Sequence, residues 1–196
     1  MVAVAAVAMI AFAWSGFQSA EWVRERFLRS DLAASLSEDA LEISAEADRL
    51  EERDVILYVE WLVARDTGAL ETAEDVFLLF RPEMQQQLLE TEIDRAGVPV
   101  VPPFDDPDYD VVKMRSQARD LESESRDQNA KSRDASRNAA RYGGLGVMFA
   151  AVLAAVGISG QFHHKRSRRI LSSLAGGLLL VGLLYMAFSP ISTTAF

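Results

Sequence analysis

Four carboxylates crowd into six residues: Asp105, Asp106, Asp108 and Asp110. Oxygen ligands this close together are what a hard cation such as calcium takes. The calcium loop also needs a glycine at its sixth position and a glutamate at its twelfth. Counted from Asp106 these positions hold Val111 and Gln117, so the pattern fails and helix capping by Asp108 or Asp110 is the plainer reading. His163 and His164 are the only histidines. As neighbours they point to different faces of a helix, and no cysteine or nearby acid completes a metal set. Beside them Lys165, Arg166, Arg168 and Arg169 form a basic collar, whose expected ligand is the anionic headgroup of a membrane lipid. Trp61, Phe77, Phe80 and Phe104 could line a pocket for an aromatic ligand, but read first as a core. The chain has no glycine-rich phosphate loop and no nucleophile elbow. No histidine is available between 19 and 141 for acid–base work. Glu51 and Glu52 fall on a solvated helix face. An enzyme is therefore not expected, and no catalytic residue, cofactor or metal is assigned.

The elements that position these residues follow from charge. All 29 acidic residues lie between Glu21 and Asp134, and none enters the apolar stretches at 2–17, 142–160 and 170–188. Charge enters hydrocarbon only at high cost, so the segregation marks three membrane helices around one water-facing domain. A span needs about 20 apolar residues. The later two stretches meet this, and the first does so if it extends to Trp22, with Trp14 and Trp22 as interfacial anchors. A signal peptide with an Ala11-Phe12-Ala13 cleavage pattern is the rival reading of the first stretch, but it lacks a positively charged leader. The expected organisation is a first span at 1–20, a helical domain at 21–141, a second span at 142–160, a basic loop at 161–169, a third span at 170–188 and a tail at 189–196. Small residues recur at four-residue spacing on the second span (Gly146, Ala150, Ala154; Ala151, Ala155, Ser159) and on the third (Ser172, Gly176; Ser173, Gly177), which predicts close packing of a hairpin. No Asp, Glu, Lys or Arg lies inside a span, which weighs against a coupled transporter.

Within the water-facing domain, Leu36, Ile43, Leu50 and Leu57 recur every seven residues. Ala33, Ala40, Ala47 and Trp61 fill the alternate positions, and Asp54 is the one polar break. A second seam places Val111, Ala118, Ser125, Ser132 and Ala139 against Met114, Leu121, Gln128, Ala135 and Tyr142. These are coiled-coil seams, each on a helix of about 50 Å expected to run into its neighbouring span. Paired antiparallel, the two arms make a stalk. Between them, Asp66-Thr67-Gly68 ends a helix. Short helices are expected over 69–80, with Val76, Phe77, Leu79 and Phe80 inward, and from Pro82 to about Asp94, with Met84, Leu88, Leu89 and Ile93 inward. Residues 98–107 form a return loop. The fold class is thus an all-α membrane protein, with three transmembrane helices, an antiparallel stalk and a small helical head.

Residues 19–141 hold 29 acids against 16 Lys/Arg, which argues against nucleic acid as a partner. The basic loop places its side of the membrane in the cytoplasm by the positive-inside rule. Arginines near the other span ends argue the reverse, but they share helices with acids such as Glu25 and Asp134, so the domain is expected to be extracytoplasmic.

Several short landmarks occur in order: Ala13-Trp14-Ser15-Gly16-Phe17-Gln18, Phe80-Arg81-Pro82-Glu83, Pro102-Pro103-Phe104 and Arg166-Ser167-Arg168-Arg169. On these the chain resembles a family of uncharacterised bacterial inner-membrane proteins with three to four predicted transmembrane helices. The resemblance implies a multi-pass protein of the bacterial inner (plasma) membrane in the orientation above, and it brings no activity and no site residues. The expected function is association: a protein-interaction scaffold or sensor-like accessory subunit, whose partners are membrane lipids and either a second protein or further copies of itself. The alternative is an oligomeric pore or transporter component.

Overall fold

A computed structural model describes residues 2–90, 104, 108–159, 161 and 165–191, with Glu90, Lys165 and Arg168 described by backbone alone. Five α-helices account for nearly all of them: α1 (Val2–Asp66), α2 (Leu70–Leu79), α3 (Pro82–Glu90), α4 (Asp110–Ser159) and α5 (Lys165–Ala187). No strand occurs among the described residues. The chain is an all-α protein, and α1, α4 and α5 each contain a stretch long and apolar enough to cross a membrane. As expected, α1 carries the first apolar stretch and the first seam on one helix, and α4 joins the second seam to the second stretch. Gly143 and Gly144 interrupt α4 no more than any other residue. Glycine's larger loss of backbone freedom costs about 1 kcal/mol at each relative to alanine, too little to break a helix that packs on both sides of them.

The contacts divide into two units, residues 1–32 with 127–196, and residues 33–126. In the first unit, α1, α4 and α5 share a core of Ala8, Ala11, Tyr142, Leu145, Phe149, Val152, Ala175 and Leu179. Large apolar side chains such as Ile10, Val147 and Leu180 face outward, the inverse of a water-soluble bundle and suited to lipid. α1 and α4 run antiparallel: the Ser19 hydroxyl donates to the Ala139 carbonyl at 3.1 Å and Ser132 to the Arg26 carbonyl at 3.1 Å. Gly146 meets Ser15 on α1. The small-residue faces expected to close the hairpin are used only in part. Ala150, Ala154, Ser173 and Gly177 point outward, and α5 instead docks through Ala175, Leu179 and Gly182. Gly182 is the tightest point. A Cβ there would sit 2.5 Å from Met148 Cε and 2.7 Å from Phe149 Cε1.

In the second unit the seams meet along their small sides. Ala33, Ala40 and Ala47 are buried on α1, as are Val111, Ala118 and Ser125 on α4, while Leu36, Ile43, Leu50 and Leu57 are half-buried. The Ser125 hydroxyl reaches the Ala33 carbonyl at 2.7 Å, and Arg115 bridges Asp48 at 2.8 Å and also Glu51. Beyond this pair, α2 and α3 close a head whose core holds Tyr58, Trp61, Val76, Phe80, Met84 and Leu88, with Phe77 and Phe104 packed against it. Gly68, at φ +74°, turns the chain out of α1, a conformation that glycine adopts without strain. Two expected core residues are not inside. Leu79 is 57% exposed and Leu89 75%. The inward face of α2 is Ala73–Val76–Phe80, and that of α3 is Met84–Leu88 at four-residue spacing. Leu79 and Leu89 each lie one residue off those lines, about 100° round the helix. The expected carboxy-terminal end of α3 with Ile93, and the return loop apart from Phe104, lie outside the described residues.

The crowding at Gly182 and its absence at Gly176 make a paired test. Gly182→Val should lower the stability of the detergent-solubilised protein by about 1–3 kcal/mol, since overpacking forces side chains off their rotamers. Gly176→Ala, where a Cβ meets nothing within 4 Å, should leave the thermal midpoint unchanged or raise it slightly.

Candidate functional site

Asp54 is the polar break in the first seam, and it is completely buried. A carboxylate out of water is tolerated only when paired and hydrogen-bonded, and here both conditions hold. Arg81, at the corner between α2 and α3, donates through Nη2 to Asp54 Oδ2 at 2.6 Å and through Nε at 3.2 Å. The Tyr109 hydroxyl donates to the same oxygen at 2.8 Å. The corner is built locally. Phe80 is extended after α2, Pro82 supplies the first turn of α3 without needing an N–H partner, and the Gln85 side chain donates to the Phe80 carbonyl at 3.0 Å. Tyr109 sits one residue before α4. Two segments, the α2–α3 corner and the start of α4, therefore converge on one carboxylate of α1. Arg81 also lies 5.8 Å over the Tyr109 ring, and Tyr58 and Phe104 complete an aromatic wall, their rings meeting edge-on at 5.3 Å.

Burial pushes the Tyr109 hydroxyl well above its usual pKa, and the hydrogen bond to Asp54 pushes the same way. Hydrogen bonding to Asp54 likewise raises Arg81. This cluster is built to keep Arg81 charged and Tyr109 neutral. It holds the head together and presents no nucleophile to solvent.

The open surface of the head lies elsewhere. Trp61 and Arg65 of α1, Phe77 and Leu78 of α2, and Leu88 and Leu89 of α3 bound a cleft of about 520 Å³. The Arg65 guanidinium lies 4.8 Å over the Trp61 ring. Of the aromatic side chains expected as core, Trp61 and Phe80 are buried and Phe77 and Phe104 pack against them partly exposed; Trp61 and Phe77 also line the cleft.

The residues singled out for chemistry fall as follows. Arg166 and Arg169 are exposed in the first turns of α5. Lys165 opens that helix and Arg168 lies in it, so these four cations ride on a helix rather than a loop. His163 and His164 lie outside the described residues, as do Asp105 and Asp106. Asp108 is exposed and pairs with Lys113 at 3.3 Å, and Asp110 starts α4. Among the described residues no three His, Asp or Glu side chains gather closely enough to hold a metal. Comparison with protein-family models, curated proteins and solved structures returns no match for the chain.

Sequence reasoning marked Asp54 as a break in the pattern but not its partners. A buried acid in a seam demands a cation, yet nine Lys/Arg are spread over residues 33–126, and nothing in their spacing selects Arg81.

Two outcomes follow from the cluster. Asp54→Ala, which strands Arg81, should cost about 3–5 kcal/mol. Asp54→Leu combined with Arg81→Met should cost less, both read by thermal melting. Because Tyr109 is held neutral by the fold, its contribution is intact below the ordinary tyrosine pKa near 10 and is lost as pH rises beyond it. Wild-type protein should therefore lose stability more steeply than Tyr109→Phe between about pH 10 and 12.

Proposed function

We propose that this chain is a membrane-anchored association protein, a scaffold or sensor-like accessory subunit whose helical head is the contact surface. The observation that carries the reading is the head's outer face. Leu70, Leu78 and Leu89 are each more than 65% exposed on short helices that the Asp54–Arg81–Tyr109 cluster holds in place. An ordered apolar face on a water-facing unit, rimmed by acids, is the usual mark of a protein-interaction site. Lipid is the second partner. The cations of Lys165, Arg166, Arg168 and Arg169 sit where α5 enters its apolar stretch, a position suited to anionic headgroups.

We further propose that the protein resides in a bacterial inner membrane, with the head outside the cytoplasm and the first turns of α5 inside. The resemblance to multi-pass inner-membrane proteins and the positive-inside rule support this. The antiparallel seams fit a coiled-coil-like stalk.

The chain contains no cysteine, so single replacements give clean labels. With an impermeant thiol reagent on intact cells, Glu38→Cys should be labelled and Arg166→Cys should not; the reverse pattern would invert the topology. Photo-crosslinkers placed at Leu78 and at Leu89 in native membranes should each capture a discrete second protein. A crosslinker on the opposite face, at Glu52, should not. Equal capture from all three sites would reject the head as a specific contact surface.

A further inference from the structure

We propose that the cleft between α1, α2 and α3 receives a basic amphipathic helix of a partner protein. This rests on the association reading and goes further by specifying the partner's chemistry. Shape comes first. The cleft has a volume of about 520 Å³. Its floor is the edge of Trp61 and Phe77, and its walls end in Leu78 and Leu89, exposed by 71% and 75%. A trough with an aromatic floor and leucine walls is what the apolar stripe of a helix fills, with anchors at three- and four-residue spacing.

Charge then selects among occupants. α2 and α3 carry five acids and no Lys or Arg, and neither helix has a basic residue in its last turn. Glu74 lies in the cleft wall, with Glu71 and Asp75 exposed beside it. The single cation of the lining, Arg65, is stacked on Trp61. A second copy of the head fits poorly, because residues 33–126 hold 24 acids against nine Lys/Arg and two such surfaces repel. A fatty acid or anionic lipid would bring its own negative charge to the same acidic rim. A helix with leucine-like anchors and flanking lysines or arginines satisfies both the apolar floor and the rim.

The test uses the full-length protein in phosphatidylcholine nanodiscs, with empty nanodiscs as blank. The probe is a fluorescent 18-residue helix of leucine and lysine, and its reference is the same pattern in leucine and glutamate. The lysine peptide should bind and the glutamate peptide should not. Leu78→Ala with Leu89→Ala should weaken binding at least tenfold, and Glu71→Gln with Glu74→Gln should weaken it and flatten its salt dependence. Ile56→Ala, on the far face of α1, should change nothing. Because Leu78 and Leu89 are exposed, the helical circular dichroism of their variants should match wild type. Equal binding of both peptides, no binding of the lysine peptide, or wild-type binding by the double leucine variant overturns the proposal. So does a lipid retained in native mass spectrometry and lost with the leucines. If the peptide fails while Leu78 still crosslinks a protein in native membranes, the basic helix is rejected and the association reading stands. If both fail, both are rejected.

Discussion

Ser125 can reach the carbonyl of Ala33 only because the two helices there approach with almost nothing between them. Alanine at every seventh residue of α1 removes the bulk that ordinarily sets helices 8–10 Å apart. The facing positions on α4 are equally small: Ala118, Ser125 and, in the membrane-bound unit, Ser132 and Ala139. The closeness turns serine hydroxyls into ties to the opposite backbone, as at Ser19 and Ser132. Each such bond contributes only about 1 kcal/mol, but each also fixes the register, since a slip of one residue would bury a leucine where only a methyl fits. The larger side chains, Leu36 through Leu57, flank this strip and are half-covered rather than enclosed. A narrow interface made by subtraction is therefore the frame on which the head is mounted.

The head solves a different problem. Ten- and nine-residue helices are too short to be stable alone, so α2 and α3 depend on what they pack against. Their inner faces meet Trp61, Tyr58 and Tyr109, and their shared corner is pinned through Arg81 to Asp54. Burying that ion pair adds little net stability, but it allows one arrangement of the corner and penalises others. The outer faces of the same helices leave Leu70, Leu78 and Leu89 exposed.

Most of the architecture was legible because it follows from a few strong rules. Charge does not enter hydrocarbon, which located the three apolar stretches. Seven-residue spacing marked both seams, and every residue from Val111 to Ala139 on one line of the second seam is buried as read. The breaks at Gly68 and Pro82 fell where turn chemistry put them. What stayed hidden depends on distance in three dimensions. Arg81 was one cation among several, and Gly182 stood outside the small-residue repeats, so nothing local revealed that Phe149 presses against it. Leu79 and Leu89 looked like core because a short helix gives too few turns to separate an inner leucine from its neighbour. The cleft was invisible for the same reason, since Leu89, assigned inward, forms part of its wall.

Asp54 also sets an order of events during synthesis. Its cation lies 27 residues later in the chain and its phenol 55 residues later. At a ribosomal pace of about 5–20 residues per second, the carboxylate waits roughly 3–11 s for Tyr109. Arg81 follows sooner, after roughly 1–5 s, so the ion pair precedes the phenol and the carboxylate's hydrogen bonds are complete only with Tyr109. The cap can close only when the start of α4 has emerged, so the last helix of the water-facing domain to be translated is also the one that licenses its completion.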